Sequence, residues 1–221
     1  MSARHHLFAL AALLLGCRAS PARASEAAAL PPEPAPAGVA ASTDTAVFAG
    51  GCFWGVEAVF EHLDGVSNAI SGYAGGKVRS PSYELVSSGR TGHAESVLVV
   101  YDPSRISYEQ LLQVYFTVAH DPTQLNRQGP DVGTQYRSAV FYRNTAQRDA
   151  AQRYIAKLTA AKVYRNPIVT EVAPLDGFNT AEAYHQDYLA HHPHQPYIVI
   201  NDLPKLKELQ RRFPALYREP A

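Results

Sequence analysis

The run Gly50-Gly51-Cys52-Phe53-Trp54-Gly55-Val56-Glu57 brings together the residue types that thiol chemistry requires. A Gly-Gly turn leaves a strand, and Cys52 stands where a helix begins. Unpaired N–H groups at a helix start favour an anion. The Cys52 thiolate is therefore expected to be stabilised, with a pKa below ~8.5. The glycines let another molecule approach the backbone closely. Phe53 and Trp54 follow at once and can wall an apolar cup beside the sulfur. A nucleophile with an aromatic cup suits a small apolar group that carries an electrophilic atom. The alternative is that Cys52 is a buried, inert cysteine, one more small hydrophobe.

Other clusters carry less chemistry. His191, His192 and His194 are close in sequence, and imidazoles bind metals. Pro193 breaks the helix between them and no carboxylate or thiolate stands beside them, so a solvated helix end is expected and no metal site is assigned. The charge run 205–212 reads as the solvated face of a last helix. Glu57 lies about one and a half turns beyond Cys52 and reads as a structural hydrogen-bonding residue. The composition narrows the function further. Twenty Lys and Arg balance twenty Asp and Glu over 221 residues, which argues against a strongly basic nucleic-acid binder. Hydrophobic residues make up 46 %, enough to exclude a wholly disordered chain. Two cysteines support neither a disulfide scaffold nor a thiolate zinc site.

The elements that must position Cys52 are readable in outline. Residues 45–49 form a short apolar strand before the Gly-Gly break. Residues 52–63 are helical, with Val56, Val59, Phe60 and Leu63 at i, i+3, i+4 and i+7. Strands are expected at 66–73, 94–101, 137–142 and 167–172. Helices are expected at 81–86, at 107–118 with Ser107 as cap, and at 145–162, 180–190 and 204–212. Alternating strands and helices give an α/β or α+β class, a mixed sheet covered by helices.

The chain before this domain reads as an address. Residues 1–16 have a positive start at Arg4 and a short apolar run from 7 to 15, as in a secretory signal. The run ends at Leu14-Leu15-Gly16-Cys17, which resembles a bacterial lipoprotein signal with Cys17 as the lipidated residue. Cleavage after Ala22-Arg23-Ala24 is the alternative and gives a soluble periplasmic or secreted protein. Residues 17–44 then hold ten Ala and five Pro, a composition that builds a tether rather than a core. The folded domain is expected at 45–221. The expected location is the bacterial cell envelope, as a lipoprotein facing the periplasm.

The cysteine segment resembles that of the peptide methionine sulfoxide reductase A family. The resemblance extends to Ser71-Gly72-Tyr73-Ala74-Gly75-Gly76, Pro81-Ser82-Tyr83, Gly89-Arg90-Thr91-Gly92-His93-Ala94-Glu95 and His120-Asp121-Pro122-Thr123. It continues through Asp131-Val132-Gly133-Thr134-Gln135-Tyr136-Arg137-Ser138 and Ala183-Tyr184-His185-Gln186-Asp187-Tyr188-Leu189, so it covers about 45–200. It implies a two-layer sandwich with a ferredoxin-like core. It also implies reduction of S-epimer methionine sulfoxide, in proteins and as the free amino acid, without a cofactor. By the same resemblance Cys52 is the nucleophile, Glu95 the acid that donates to the sulfoxide oxygen, and Tyr83, Tyr136 and Asp131 the groups that hold that oxygen or a nearby water. Phe53 and Trp54 form the cup around the ε-methyl. The chemistry asks for these types in any case. A sulfoxide oxygen leaves poorly until protonated, so a thiolate and a neutral carboxyl must act together. An apolar pocket raises a carboxyl pKa, and two tyrosine hydroxyls donate without adding charge.

Many members of that family carry further cysteines near the C-terminus that form a disulfide with the nucleophile. The tail here, Gln195-Pro196-Tyr197-Ile198-Val199-Ile200-Asn201-Asp202-Leu203-Pro204, has none. Turnover is therefore expected to pass through a Cys52 sulfenic acid, reduced by a thioredoxin-like or small-molecule thiol. Oxidised envelope proteins are the expected substrates and a monomer the expected state. Two other classes stay open from the residues alone. One is a cysteine peroxidase or acyl-transfer enzyme with His93 or His120 as base, and the other is a tethered module that binds methionine-like side chains without catalysis.

Overall fold

The computed structural model describes residues 43–219. The expected signal, Cys17 and nearly all of the tether lie outside the described residues. The elements run β1 (Asp44–Ala49), α1 (Phe53–Glu61), β2 (Val66–Ala74), α2 (Tyr83–Ser87), β3 (Ala94–Tyr101) and α3 (Tyr108–Val114), which continues as a π-helical turn over Tyr115–Ala119. Then come β4 (Arg127–Gln128), β5 (Asp131–Val132), a 3-10 turn Thr134–Tyr136, β6 (Ala139–Tyr142), α4 (Thr145–Ala160), β7 (Glu171–Pro174) and β8 (Phe178–Thr180). The chain closes with a 3-10 turn Ala183–His185, α5 (Tyr188–His191), a π-helical turn Ile198–Asp202 and α6 (Leu203–Arg212).

One six-stranded sheet has the order β7-β6-β1-β3-β2-β8. Its inner four strands are antiparallel to one another, and with α1 and α3 they make the βαββαβ unit of a ferredoxin-like core. β7 adds parallel to β6, which makes the sheet mixed. Strand alternation sorts the side chains by face. Ala46 and Phe48 of β1, Val97, Val99 and Tyr101 of β3, and Val140 of β6 face the helices, and Val56, Val59, Phe60 and Leu63 close on them. Val47, Ala49, Ala94, Ala139 and Phe141 form a thinner layer on the other face. Ser107 caps α3 with the capping box expected of it, sharing two hydrogen bonds with Gln110.

Two expected elements differ. The strand placed at 167–172 lies at Glu171–Pro174, because β7 pairs with β6 from Ala139↔Glu171 onward while the Val169 N–H is drawn to the Pro122 carbonyl at 2.9 Å. The helix placed at 180–190 does not form. Thr180 pairs with Gly72 on the edge of β2, and the Gln186 side chain then continues that edge. Its Oε1 accepts from the Ser71 N–H at 2.9 Å and its Nε2 donates to the Ser71 carbonyl at 3.0 Å. Asp187 follows in the left-handed region, φ 52°, so only the short α5 remains.

Candidate active site

Cys52 is the N-cap of α1, the place its sequence context predicts. The turn before it is set by Gly51, at φ 92°, where a Cβ would meet the Gln128 side chain at 2.6 Å. That close approach brings the β4–β5 hairpin, and Asp131 with it, against the cysteine turn. Cys52 is 9 % exposed and, among the described residues, is the free cysteine.

Glu95 reaches the site through strand register. It pairs with Tyr73 and shares the helix-facing side of β3 with Val97 and Val99. The residue is 2 % exposed. Its Oε2 accepts the Phe53 N–H at 3.1 Å, at the residue next to the sulfur. Burial pushes its carboxyl up to about 8, against the pull of that single hydrogen bond, with the Asp131 charge adding to the rise. Glu95 is thus a buried carboxylic acid, not a solvated strand residue, and at pH 7 most of it holds its proton.

The remaining expected residues converge on the same place. Tyr83, from α2, is held above its ordinary pKa by burial, then by the Glu95 charge, with Cys52 adding to the effect. Tyr136 is raised by burial and by Glu95, Tyr83, Asp131 and Cys52. Both are neutral phenols at physiological pH. Asp131 accepts a short hydrogen bond from the Tyr197 hydroxyl. Phe53 is buried between Tyr73 and His185, with ring centroids 5.9 and 5.0 Å away. Trp54 stacks on Tyr188 at 3.7 Å, meets Tyr197 edge-on at 6.0 Å, and donates Nε1–H to His185 Nδ1 at 3.1 Å. The aromatic wall is therefore locked from three sides. Glu182 anchors two of its supports, accepting from the Tyr73 hydroxyl at 2.8 Å and from the Tyr83 N–H at 2.9 Å.

Tyr197, His185, Tyr188 and Glu182 carry no role that the sequence analysis assigns: they come from the expected helix 180–190 and the tail, and no spacing marks them. Glu57 does as expected. Its two carboxylate oxygens accept from the N–H groups of Ser71 and Asp187, both at 3.1 Å, tying α1 to β2 and to the turn before α5.

Three expectations are corrected by the geometry. The Cys52 pKa does not fall; burial raises it, followed by the Glu95 and Asp202 charges, while the Trp54 N–H and Lys205 pull it down less. Lys205 does not lie on a solvated face, since its ammonium donates to the buried Asp202 carboxylate at 3.0 Å. The histidine bases are both engaged elsewhere. His93 bonds the Gly76 N–H and the Val78 carbonyl. His120 bonds the Tyr115 carbonyl and Ser138 Oγ, and burial lowers it to about 4. His191, the last residue of α5, and His192 and His194 after it are exposed, as a solvated helix end should be.

A buried thiol, a neutral carboxyl, two phenols and an aromatic wall suit reduction of a small apolar group bearing a basic oxygen. The comparisons with known proteins point the same way. The family model "Peptide methionine sulfoxide reductase" matches residues 44–216. Peptide methionine sulfoxide reductase MsrA 2 of Mesorhizobium japonicum is 59 % identical over 180 residues, 81 % of this chain and 92 % of that one. Peptide methionine sulfoxide reductase MsrA of Natronomonas pharaonis is 52 % identical over 171 residues, 77 % and 96 % of the two chains. Among solved structures, methionine sulfoxide reductase A of Corynebacterium diphtheriae aligns with a TM-score of 0.61 at 39 % identity, over 70 % of this chain and 78 % of that one. Reduced Mxr1 of Saccharomyces cerevisiae aligns with a TM-score of 0.65 at 34 % identity, over 69 % and 87 %. With more than half of the chain matched by the family model and relatives covered over most of their length, the chain belongs to the peptide methionine sulfoxide reductase family and is an oxidoreductase of methionine sulfoxide.

Proposed function

We propose that Cys52 reduces S-epimer methionine sulfoxide, free and in proteins, through a sulfenic acid that an external thiol resolves. The observation that carries the reading is the hydrogen bond from the Phe53 N–H to Glu95, which fixes a protonated carboxyl beside the nucleophile. In the first step Cys52 sulfur attacks the sulfoxide sulfur while Glu95 protonates its oxygen. The substrate sulfur–oxygen bond breaks as the protonated oxygen passes to the Cys52 sulfur. The sulfur–sulfur bond made in the attack breaks with its electron pair returning to the substrate, and methionine leaves with Cys52 as S–OH. The thiol proton replaces the one that Glu95 gave up. Cys52 loses two electrons and the substrate gains them. In the second step two external thiols reduce the sulfenic acid, releasing water and a disulfide. Tyr83 and Tyr136 donate to the oxygen as charge builds on it. Contact of the ε-methyl and sulfur with Phe53 and Trp54 contributes ~0.3–1.5 kcal/mol. That is too little to select a flanking peptide, so broad tolerance of neighbouring residues follows.

The test offers each separated epimer of a methionine sulfoxide peptide to the full chain with excess dithiothreitol, and follows methionine by chromatography. The S epimer alone should be consumed, with no need for a second protein. Reduction of the R epimer alone, or of neither by folded protein, would overturn the reading.

A thioredoxin-like protein or a small thiol is the proposed reductant, and oxidised envelope proteins are the proposed substrates. Attachment through a lipid on Cys17 rests on the Leu14-Leu15-Gly16-Cys17 pattern. The mass of the mature N-terminus checks it: a diacylated Cys17 supports anchoring, and a chain starting at Ser25 replaces it with a soluble envelope protein.

A further inference from the structure

The tail that lacks a resolving cysteine carries a buried ion pair instead, and the reaction described above leaves it unused. Asp202 ends the π-helical turn and is 1 % exposed. Its Oδ1 accepts from Lys205 Nζ at 3.0 Å, and the lysine side chain is 17 % exposed. The pair is docked against the first turn of α1. A Cβ built on Gly55 would lie 2.0 Å from Asp202 Oδ1 and 2.7 Å from Lys205 Nζ, so only glycine admits it. Gly55 is three residues after Cys52, one turn along the same helix face. As a stabilising contact the pair is poor. Asp202 Oδ2 is buried without a partner, and a buried pair seldom repays its desolvation.

Its effect falls on the sulfur. Asp202 disfavours the Cys52 thiolate and Lys205 favours it. The other groups that face Cys52 are Glu95 from β3, Tyr83 from α2, Tyr136 from the 3-10 turn and Tyr197 from the tail. Glu95 and the three tyrosines are neutral near pH 7, so the pair supplies fixed charge. Asp131 and Tyr197 face Asp202, and His120, itself uncharged, faces Lys205. Burial raises the Asp202 carboxyl and Lys205 pulls it down, so without its lysine any charge on Asp202 would stand uncompensated at the helix start where the thiolate must form.

We propose that Lys205 is a positioning residue for the nucleophile: by neutralising Asp202 against Gly55 in the first turn of α1, it keeps the Cys52 thiolate accessible. The proposal rests on the reading of Cys52 as the nucleophile. It adds to that reading a cation that the tail of this chain provides.

The test follows iodoacetamide alkylation of the Cys52 peptide by mass spectrometry in the full chain, from pH 6 upward until the rate levels off, with circular dichroism as a fold control at each pH. Lys205→Met should move the alkylation midpoint up by about one pH unit, with ~10-fold slower alkylation at pH 7 and a matching fall in kcat for the sulfoxide. Asp202→Asn should move the midpoint down. The double variant should return near wild type, and Lys205→Arg should stay near it. Should Lys205→Met fail to fold, Asp202→Asn decides alone: a lower midpoint supports the proposal and an unmoved or higher one overturns it. An unmoved midpoint in folded Lys205→Met likewise overturns it. The nucleophile reading fails separately, if Cys52→Ser protein still reduces the sulfoxide whatever the alkylation profiles show.

Discussion

Cys52→Ser protein is expected to lose sulfoxide reduction by more than about 10³-fold while remaining folded. The loss follows from the chemistry of the attacking atom. Reduction needs a soft, polarisable sulfur that accepts oxygen and later returns it to a thiol. A serine hydroxyl is a far weaker nucleophile and has no accessible oxidised state. The fold should survive for a structural reason. Cys52 occupies the N-cap of α1 but makes no side-chain cap bond there. Serine is among the best N-cap residues and is smaller than cysteine, so it fits the space and can bond a free N–H of the first turn. Thermal unfolding should therefore match or slightly exceed wild type, by up to ~1 kcal/mol. Activity of the separated S epimer with dithiothreitol, read beside a calorimetric scan, checks both halves. A stable Cys52→Ser protein that still turns over would move the nucleophile elsewhere and return the non-covalent binding reading to consideration.

The helix that Cys52 caps is legible from residue types alone. Val56, Val59, Phe60 and Leu63 at helical spacing place α1 against the sheet, and the Gly-Gly turn puts Cys52 at its start. The strand at 94–101 is readable as well, but its run Val97-Leu98-Val99-Val100 does not say which face Glu95 takes; the register with Tyr73 is what carries it inward. The stretch 180–190 departs from its expected helix: its local pattern favours one, while the open edge of β2 competes for its backbone. The Ala181 N–H goes to the Ser71 carbonyl at 2.9 Å, and Gln186 completes the pairing through its side chain. Nothing local signals a glutamine that stands in for a strand. Lys205 was misread for a related reason. Charges at i and i+3 on a terminal helix usually meet water, and only the docking of Asp202 on Gly55 removes these from it. The sulfur's acidity was misjudged by weighing one local term. The charge at a helix start amounts to ~0.3–1 kcal/mol, whereas burial and neighbouring carboxylates each act more strongly. That larger balance holds the resting Cys52 as a thiol.

Glu95→Gln should have the second large effect, and it should split activity from stability. Glutamine keeps the size of the side chain and can still accept the Phe53 N–H through its carbonyl. It has no proton to give, so kcat should fall by about 10²–10⁴-fold at pH 7, with Tyr83 and Tyr136 left to donate to the oxygen. The pH dependence follows from the carboxyl at about 8. Wild-type kcat/KM should stop rising as pH passes about 8, where loss of the acid offsets the gain in Cys52 thiolate, whereas the residual Glu95→Gln activity should go on rising with the thiolate. Stability should move the other way. The folded state holds the Glu95 proton far more tightly than the unfolded chain, whose carboxyl titrates near 4.5. Its stabilising contribution is thus complete below about 4.5 and is lost as pH rises through about 8. Glutamine cannot ionise, so the variant should gain ~2–4 kcal/mol on wild type between pH 5 and pH 9. Glu57 and Glu61, raised to about 7 and about 8 by burial, weaken both proteins over the same range and cancel in the comparison. Denaturant titrations at the two pH values read the difference. A variant within threefold of wild-type turnover at pH 7 would remove Glu95 as the acid. An unchanged stability difference would show that the carboxyl ionises freely in the fold. Both effects trace to one placement, a carboxyl on the helix-facing side of β3 beneath the start of α1. There burial keeps the proton that the sulfoxide oxygen needs and makes its loss costly to the fold.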